Sequence, residues 1–372
     1  MSVAVHLRRP STIIGVLCTL AICAIAIDNL VFTDSLMQTT YHRTQTIWVV
    51  LGLAGAGLVA AIDPVYVRRV GMSVYFALNI LLLLVLVIGR EINFSRRWIE
   101  LGPMSLQPSE FMKLSIILVV ADWFDKRRAT ENWRLRDLIR PALLVAIPVV
   151  LINREPDLGT SLVVAAIGGS MILYEGIRGR SAALALIVVV LGASVAWETG
   201  VIRDYQKGRA EAWYQSIVEE EDRPRAPSER TQAEQALWAV GSGRLWGKSD
   251  ADARQSVLRH LPFVHTDFAL APLCTRFGLA GASLLFLLYA GVVGWGLAIA
   301  NRATERFDAL LAIGVSGLVF WQFFINAGMV IGLLPVVGIT LPLFSYGGSS
   351  ALTVLVAIGF LLNLARRAQG RR

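Results

Sequence analysis

The sequence predicts an all-α, polytopic integral membrane protein of about ten transmembrane helices, and three observations carry that prediction. The 372 residues are 55% apolar and 17% charged, against roughly 45–50% and 25% in ordinary soluble chains. The mean hydropathy is +0.59, more than one buried core supplies over a whole chain. Apolar runs near the roughly 20-residue length of a membrane-crossing helix recur between charged or Pro/Gly-rich breaks. A disulfide or zinc scaffold is excluded, since Cys18 and Cys23 sit in an apolar run, Cys274 is alone, and His6, His42, His260 and His265 are scattered. The 35 Lys+Arg against 27 Asp+Glu give a net charge of +8, which admits nucleic acid as a partner only until the charges are placed.

The spans fall near 12–32, 45–63, 70–89, 108–124, 141–153, 159–175, 181–197, 276–300, 308–330 and 349–365. The fifth is short and contains Pro148, but the charge distribution requires it. With the N-terminus inside, 18 Lys and Arg flank the spans on the cytoplasmic side and 5 lie in the short outer loops. The positive-inside rule therefore puts both termini in the cytoplasm. The basic surplus then faces the anionic inner leaflet, and no charge is left that needs nucleic acid. The chain reads as one membrane domain, 1–372, with a long extracytoplasmic loop at 198–275. The middle of that loop, Glu219 to Arg230, is charged and Pro-containing and reads as mobile, whereas its ends carry short helical patterns.

Ionisable groups at membrane depth are costly, so each one that snorkelling does not explain is a candidate for function. Four such clusters stand on the outer side. Arg96-Arg97-Trp98-Ile99 precedes Gln107-Pro108-Ser109-Glu110-Phe111-Met112-Lys113, where Pro108 suits a first helical turn and Glu110 and Lys113 share a face at i,i+3. The pair is either self-satisfied or, beside two arginines, part of an anion-binding mouth. In Asn153-Arg154-Glu155-Pro156-Asp157-Leu158-Gly159-Thr160, one carboxylate suits a helix cap but two do not. In Pro262-Phe263-Val264-His265-Thr266-Asp267-Phe268, Asp267 is either an N-cap or a desolvated carboxylate with a raised pKa fit for general-base work. The last cluster, Asn326 to Ser350, is apolar and dense in Gly and Pro, as in a re-entrant segment lining a protein-enclosed cavity. One site holding acids, cations and an apolar wall suits an amphiphilic substrate with an anionic head at the interface.

At these residues the chain resembles the SEDS family of shape, elongation, division and sporulation proteins (RodA/FtsW/SpoVE-like), nearest its RodA branch. The resemblance rests on RRWI from Arg96, QPSEFMKLS from Gln107, EPDLGTSL from Glu155, DYQKGR from Asp204, AVGSG from Ala239 with Gly247-Lys248, HTDF from His265, and NAGMVIGLLPVVGITLPLFSYGGSS from Asn326. It implies a peptidoglycan glycosyltransferase of the bacterial cytoplasmic (inner) membrane. Such an enzyme polymerises lipid II on the outer face during elongation and shape determination, releases undecaprenyl pyrophosphate, and works with a class B penicillin-binding protein, a monofunctional transpeptidase. By the same resemblance Asp267 is the catalytic carboxylate, deprotonating the acceptor 4-hydroxyl or holding a divalent cation (Mg or Mn) that does so; no organic cofactor is implied. Arg97, Lys113 and Arg209 are the pyrophosphate-binding candidates, with Gln107, Glu110, Glu155 and Asp157 positioning them or adding to a metal site. Asn326, Pro335, Gly338, Pro342, Ser345, Tyr346, Gly347, Gly348 and Ser349 are expected to line the cavity.

Family members usually carry glutamates where this chain has Phe263, Thr275 and Arg276, a shift toward positive charge that weakens a metal site. Two other functions stay open: a divergent, non-catalytic scaffold for the penicillin-binding protein, and a lipid II flippase. The flippase would need polar groups through the midplane and on both sides, whereas the clusters gather on one side.

Overall fold

The computed structural model describes residues 10–92, 95–101, 104–127, 133–199, 204–218 and 231–370. The expectations placed on Arg8, Arg9, Arg128, Arg371, Arg372 and the segment Glu219–Arg230 fall outside the described residues. The elements in chain order are α1 (Pro10–Met37), α2 (Tyr41–Ala61), α3 (Pro64–Ile88), β1 (Arg90–Ile92), β2 (Ser95–Leu101), β3 (Met104–Leu106), α4 (Pro108–Asp125), α5 (Ile139–Arg154) and α6 (Leu158–Tyr174). There follow α7 (Gly179–Glu198), α8 (Asp204–Val218), α9 (Gln232–Ser242), α10 (Asp250–Arg254), α11 (Leu270–Ala300), α12 (Arg306–Val330) and α13 (Gly348–Gly370). A helix thus stands at each of the ten expected span positions. Six of these, α1, α2, α3, α11, α12 and α13, have the length and composition to cross a membrane. Of the others, α4 carries Glu110, Lys113, Asp122 and Asp125, and α5 and α6 have only 16 and 17 residues.

Local chemistry explains the ends and bends. Asp63 accepts a hydrogen bond from the Val65 amide, and Pro64 opens α3, where its missing N–H costs nothing. Thr231 and Glu234 form a reciprocal capping box at the start of α9. Within α5, Pro148 has no N–H for the Leu144 carbonyl, and the Tyr75 hydroxyl of α3 donates to that carbonyl at 3.0 Å instead. The eighth span begins at Leu270, six residues before the expected Arg276, and kinks at Gly278, whose φ of 62° is left-handed. The segment before α10 pairs with the kink, through Lys248 N to Thr275 O, Leu279 N to Arg244 O and Ala280 N to Leu245 O.

The core lies around α4, α12 and α13, which are buried on most faces, while α1, α2, α3 and α11 expose broad apolar faces. Residues β1 to β3 form an antiparallel meander that links α3 to α4 at one end of the bundle. At the opposite end the cations do more than snorkel. Arg68 joins Asp122 at 2.8 Å and also Asp125, Arg306 joins Glu175 and the carbonyls of Phe124 and Arg127, and Arg367 meets Asp308 at 2.9 Å. This end is therefore tied by ion pairs from α3, α4, α12 and α13.

The α2–α13 contact sets a testable limit. A Cβ at Gly359 would lie 2.6 Å from the Ala56 carbonyl oxygen and 2.7 Å from its Cα, backbone atoms that cannot turn aside, whereas Gly57 faces open space. Gly359→Val is expected to cost at least about 1–3 kcal/mol of overpacking strain. Thermal unfolding in detergent should show a clear loss for Gly359→Val and none for Gly57→Ala.

Candidate functional site

The four clusters converge at the end of the bundle that carries the β meander. Glu110 sits in the first turn of α4 and pairs with Lys113 at 2.7 Å, both buried. Lys113 also donates to Gln322 Oε1 of α12 at 3.2 Å, and Gln322 Nε2 donates in turn to the Thr340 carbonyl and to Ser350 Oγ. The i,i+3 pair thus ties α4 to α12 and to the segment 331–347. Lys113 is only 1% exposed, so it acts inside the wall of the site rather than at an open mouth.

Asp157 is the cap of α6: its Oδ1 accepts from the Thr160 amide at 3.1 Å. Its Oδ2 accepts from Gln107 Nε2 at 2.6 Å and lies 3.6 Å from Arg97 Nη1 on β2. The Gln107 amide in turn donates to Ser349 Oγ at the start of α13. Glu155, two residues earlier, is 0% exposed and neither of its carboxyl oxygens has a hydrogen-bond partner. Burial, reinforced by the Asp157 charge and opposed by Arg97, pushes its pKa up to about 9. The two carboxylates therefore divide the work: Asp157 caps α6, and Glu155 is held neutral. Arg97 Nε is also buried without a hydrogen bond.

Asp267 does not cap a helix. The cap position of α11 belongs to Ala269, which makes no side-chain bond. The turn containing Asp267 is instead held by its carbonyls. Those of His265, Thr266 and Asp267 accept from Tyr346 N at 2.8 Å, Ser345 Oγ at 2.5 Å and Asn326 Nδ2 at 2.9 Å, and that of Ala269 accepts from Asn29 Nδ2 at 2.9 Å. The Asp267 carboxyl is left partly buried, and burial raises its pKa against the pull of Arg97, Thr266 and Arg209, with Asp157 adding to the rise. Gly338 lies beside it: a Cβ there would be 3.6 Å from Asp267 Oδ2.

The irregular segment Ile331–Gly347 is packed into the protein, with Ile339, Leu341, Leu343 and Phe344 buried. Several of its polar groups are paired with neighbouring elements. Asn326 Nδ2 also bonds the Ile339 carbonyl, Tyr289 bonds that of Pro342, and Ser345 Oγ accepts from Leu341 N. From α8, Arg209 Nη1 and Trp213 Nε1 bond the carbonyls of Val336 and Gly332. Gly347 donates to Gln45 Oε1, and Gly348 packs on Trp48. Pro335 lies partly buried within the same segment. Sequence reasoning missed Asn29, Gln45, Trp213 and Gln322. For Asn29, Gln45 and Gln322 the one signal was a side-chain amide in an otherwise apolar helix; Trp213, on the polar α8, gave none.

The FtsW/RodA/SpoVE family model, described as cell cycle protein, matches residues 9–370. The chain belongs to this family. The peptidoglycan glycosyltransferase MrdB of Escherichia coli strain K12 is 32% identical over 316 residues, 85% of this chain and 83% of that protein. A probable peptidoglycan glycosyltransferase FtsW of Thioalkalivibrio sulfidiphilus strain HL-EbGR7 is 35% identical over 333 residues, covering 88% and 80%. Among solved structures, a chain of a peptidoglycan synthase complex reported for its coordination of polymerization and crosslinking superposes with a TM-score of 0.80 at 29% identity, covering 95% of this chain and 97% of that one. The rod-shape-determining protein RodA of Thermus thermophilus superposes at 0.69 and 28% identity, with 95% of each chain covered.

In this FtsW/RodA/SpoVE chain two of the three positions expected to be glutamates hold structural contacts instead, Thr275 and Arg276. Thr275 Oγ1 donates within reach of the Ala239 and Ala271 carbonyls, each at 2.9 Å, and so fastens α9 to α11. Arg276 binds Asp28 of α1 at 2.8 Å and Asp250 of α10 at 3.0 Å, with Phe32 and Phe277 on its faces. Phe263 is exposed and takes a left-handed φ of 53° at the head of the Asp267 turn.

The neutral state of Glu155 has a measurable sign. Its folded pKa of about 9 lies above the ordinary 4.5, so the folded chain keeps a proton that the unfolded chain releases, and stability falls as pH rises between those values. Glu155→Gln mimics the protonated acid, should flatten that fall and should be the more stable protein near pH 8. Melting temperatures in detergent at pH 6 and pH 9 check this; equal slopes for both proteins would contradict it.

Proposed function

We propose that this chain polymerises lipid II into glycan strands on the outer face of the cytoplasmic membrane, with Asp267 as general base. Its family and its named relatives make it a peptidoglycan glycosyltransferase and a multi-pass protein of the bacterial inner membrane. The observation that carries the reading of the site is Asp267 itself, a partly buried carboxyl with a raised pKa, free of any capping role and faced by Arg97 and Arg209. A carboxylate whose pKa is lifted toward neutrality is a stronger base, and charge fixed nearby stabilises an anionic leaving group.

In this reaction Asp267 takes the proton of the acceptor sugar 4-hydroxyl as that oxygen forms its bond to the donor anomeric carbon. The bond from that carbon to the pyrophosphate oxygen breaks, and its electron pair leaves with undecaprenyl pyrophosphate. Arg97, with an unpaired Nε, and Arg209 bind the pyrophosphate as its charge grows. Lys113, buried against Glu110, contributes by holding α4 and α12 in register and by its positive field. The side chains do not suit a divalent cation as resident cofactor. Among the described residues no three acids, histidines or cysteines converge, and the charges nearest Asp267 include two arginines. No step is therefore assigned to a metal. The partner we assign is a class B penicillin-binding protein that supplies crosslinking, in keeping with the polymerization and crosslinking reported for the similar synthase complex.

Two outcomes test the reading with purified protein, lipid II and that partner. Asp267→Asn should lower polymerisation by at least about 10²-fold while still forming the complex; a mutant that polymerises normally, or a well-folded wild-type complex that makes no strands, contradicts it. The pH profile gives the sign of the electrostatics. Activity needs ionised Asp267, so the rate falls as pH drops through its pKa. Arg97 lowers that pKa, so Arg97→Gln should move the acidic limb to higher pH, and a limb that stays in place contradicts the assignment.

A further inference from the structure

The turn between α1 and α2 contains none of the residues assigned to the site, yet it makes a costly set of contacts. Asp34, in the last turn of α1, is 5% exposed. Its carboxylate accepts from Thr39 Oγ1 at 2.5 Å, the Tyr41 amide at 3.1 Å, the His42 amide at 2.8 Å and His42 Nδ1 at 2.6 Å. Thr40, at the cap position of α2, makes no side-chain cap bond. Asp34 therefore caps α2 from the preceding helix, placing negative charge at the positive end of the α2 dipole. Gln38 takes the left-handed φ of 56° that closes the turn.

This cap fixes the first turn of α2, and that turn faces the Asp267 segment. The Tyr41 ring stacks on His265 with centroids 4.6 Å apart and planes at 19°, and it lies 4.6 Å from the Tyr346 ring. One helical turn on, and on the same face, Gln45 is fully buried. It donates to the Ser345 carbonyl at 3.2 Å and accepts from the Gly347 amide at 3.1 Å. Tyr41 and Gln45 thus hold His265 and residues 345–347 together. Those residues hold the carbonyls of His265 and Thr266. Thr266 N and Phe268 N both return to the Phe263 carbonyl, so residues 263–268 move as one turn. A shift of His265 is therefore passed to Asp267 two residues on. Burial lowers the pKa of His265 against the pull of Asp34, which favours the neutral imidazole in the stack.

We propose that the α1–α2 turn is the support that aims Asp267, with Asp34 and Tyr41 as positioning residues for the reaction. The proposal rests on the reading of Asp267 as general base. Neither residue reaches the reacting atoms; both act by restricting the turn that carries the base. Misplacement of a reacting group by about 1 Å costs on the order of 10²-fold in rate, so a partial loosening should be visible in turnover and not in substrate affinity.

The test compares Tyr41→Ala, Tyr41→Phe and Asp34→Asn with wild type and Asp267→Asn in the partner complex. Steady-state polymerisation of lipid II is measured together with amide hydrogen exchange across residues 261–269. Tyr41→Ala should lower kcat by about tenfold or more, leave KM within about twofold, and speed exchange at the amides of Thr266 and Phe268. Tyr41→Phe keeps the stacked ring and should restore both readouts, while Asp34→Asn should behave like Tyr41→Ala. The proposal is overturned if Tyr41→Ala leaves kcat and exchange unchanged, if Tyr41→Phe is as damaging as Tyr41→Ala, or if KM rises with kcat intact. Full activity in Asp267→Asn would instead sink the assignment of the base. In that event the exchange pattern alone decides whether the α1–α2 turn holds this segment.

Discussion

The capture of the backbone carbonyls between His265 and Ala269 is the constraint on which the rest of the structure depends. Four carbonyls in five residues accept from side chains or amides of α1, α12 and the segment before α13. A carbonyl shielded from water inside the protein must find a protein donor or stay unpaired at a cost of about 1–3 kcal/mol. The donors come from positions 29, 326, 345 and 346, far apart in the chain. The Asp267 turn is consequently in place only when α1, α11, α12 and α13 are all packed. This is how a membrane bundle with few fixed loops presents one carboxyl at a fixed point.

The same economy governs the charges. Among the described residues Lys113 pairs with Glu110, Asp157 with Gln107 and Thr160, Asp34 with His42, and Arg276 with Asp28 and Asp250. Where no partner is present the group loses its charge, as Glu155 does. Arg97 lies at the centre of this balance, acting on Asp267, Glu155 and Asp157 together. A site built in this way favours an anionic group that reaches Arg97 and rejects a cation. That is the polarity the proposed pyrophosphate-linked donor requires. Replacing glutamates by Thr275 and Arg276 fits the same balance, since both now fasten the loop helices to α1 and α11.

How much of this was legible in the sequence depended on charge. The helices at the span positions were plain from the apolar runs, and the Glu110–Lys113 pair from its spacing. Asp157 could be separated from Glu155 only by geometry, because either carboxylate can cap from sequence alone. The start of α11 was misplaced because Leu270 to Thr275 precedes a charged residue that reads as a boundary; the helix runs through it because Arg276 is neutralised by two aspartates. Asn29, Gln45 and Gln322 were hidden, since an uncharged amide scarcely alters the hydropathy of a long apolar helix. Asp34 lies just past the first expected span, 12–32, and drew no attention in the sequence; only the fold shows that it caps the next helix.

If Asp267 is the base and depends on a turn pinned through its carbonyls, Asn326 offers the most direct measurement. It donates to both the Asp267 and Ile339 carbonyls without approaching as a charged group. Single-turnover polymerisation of lipid II by Asn326→Ala in its partner complex should fall by at least about tenfold, with lipid II binding unchanged. Wild-type turnover in a folded Asn326→Ala complex would contradict the account, because the base would then need no such hold.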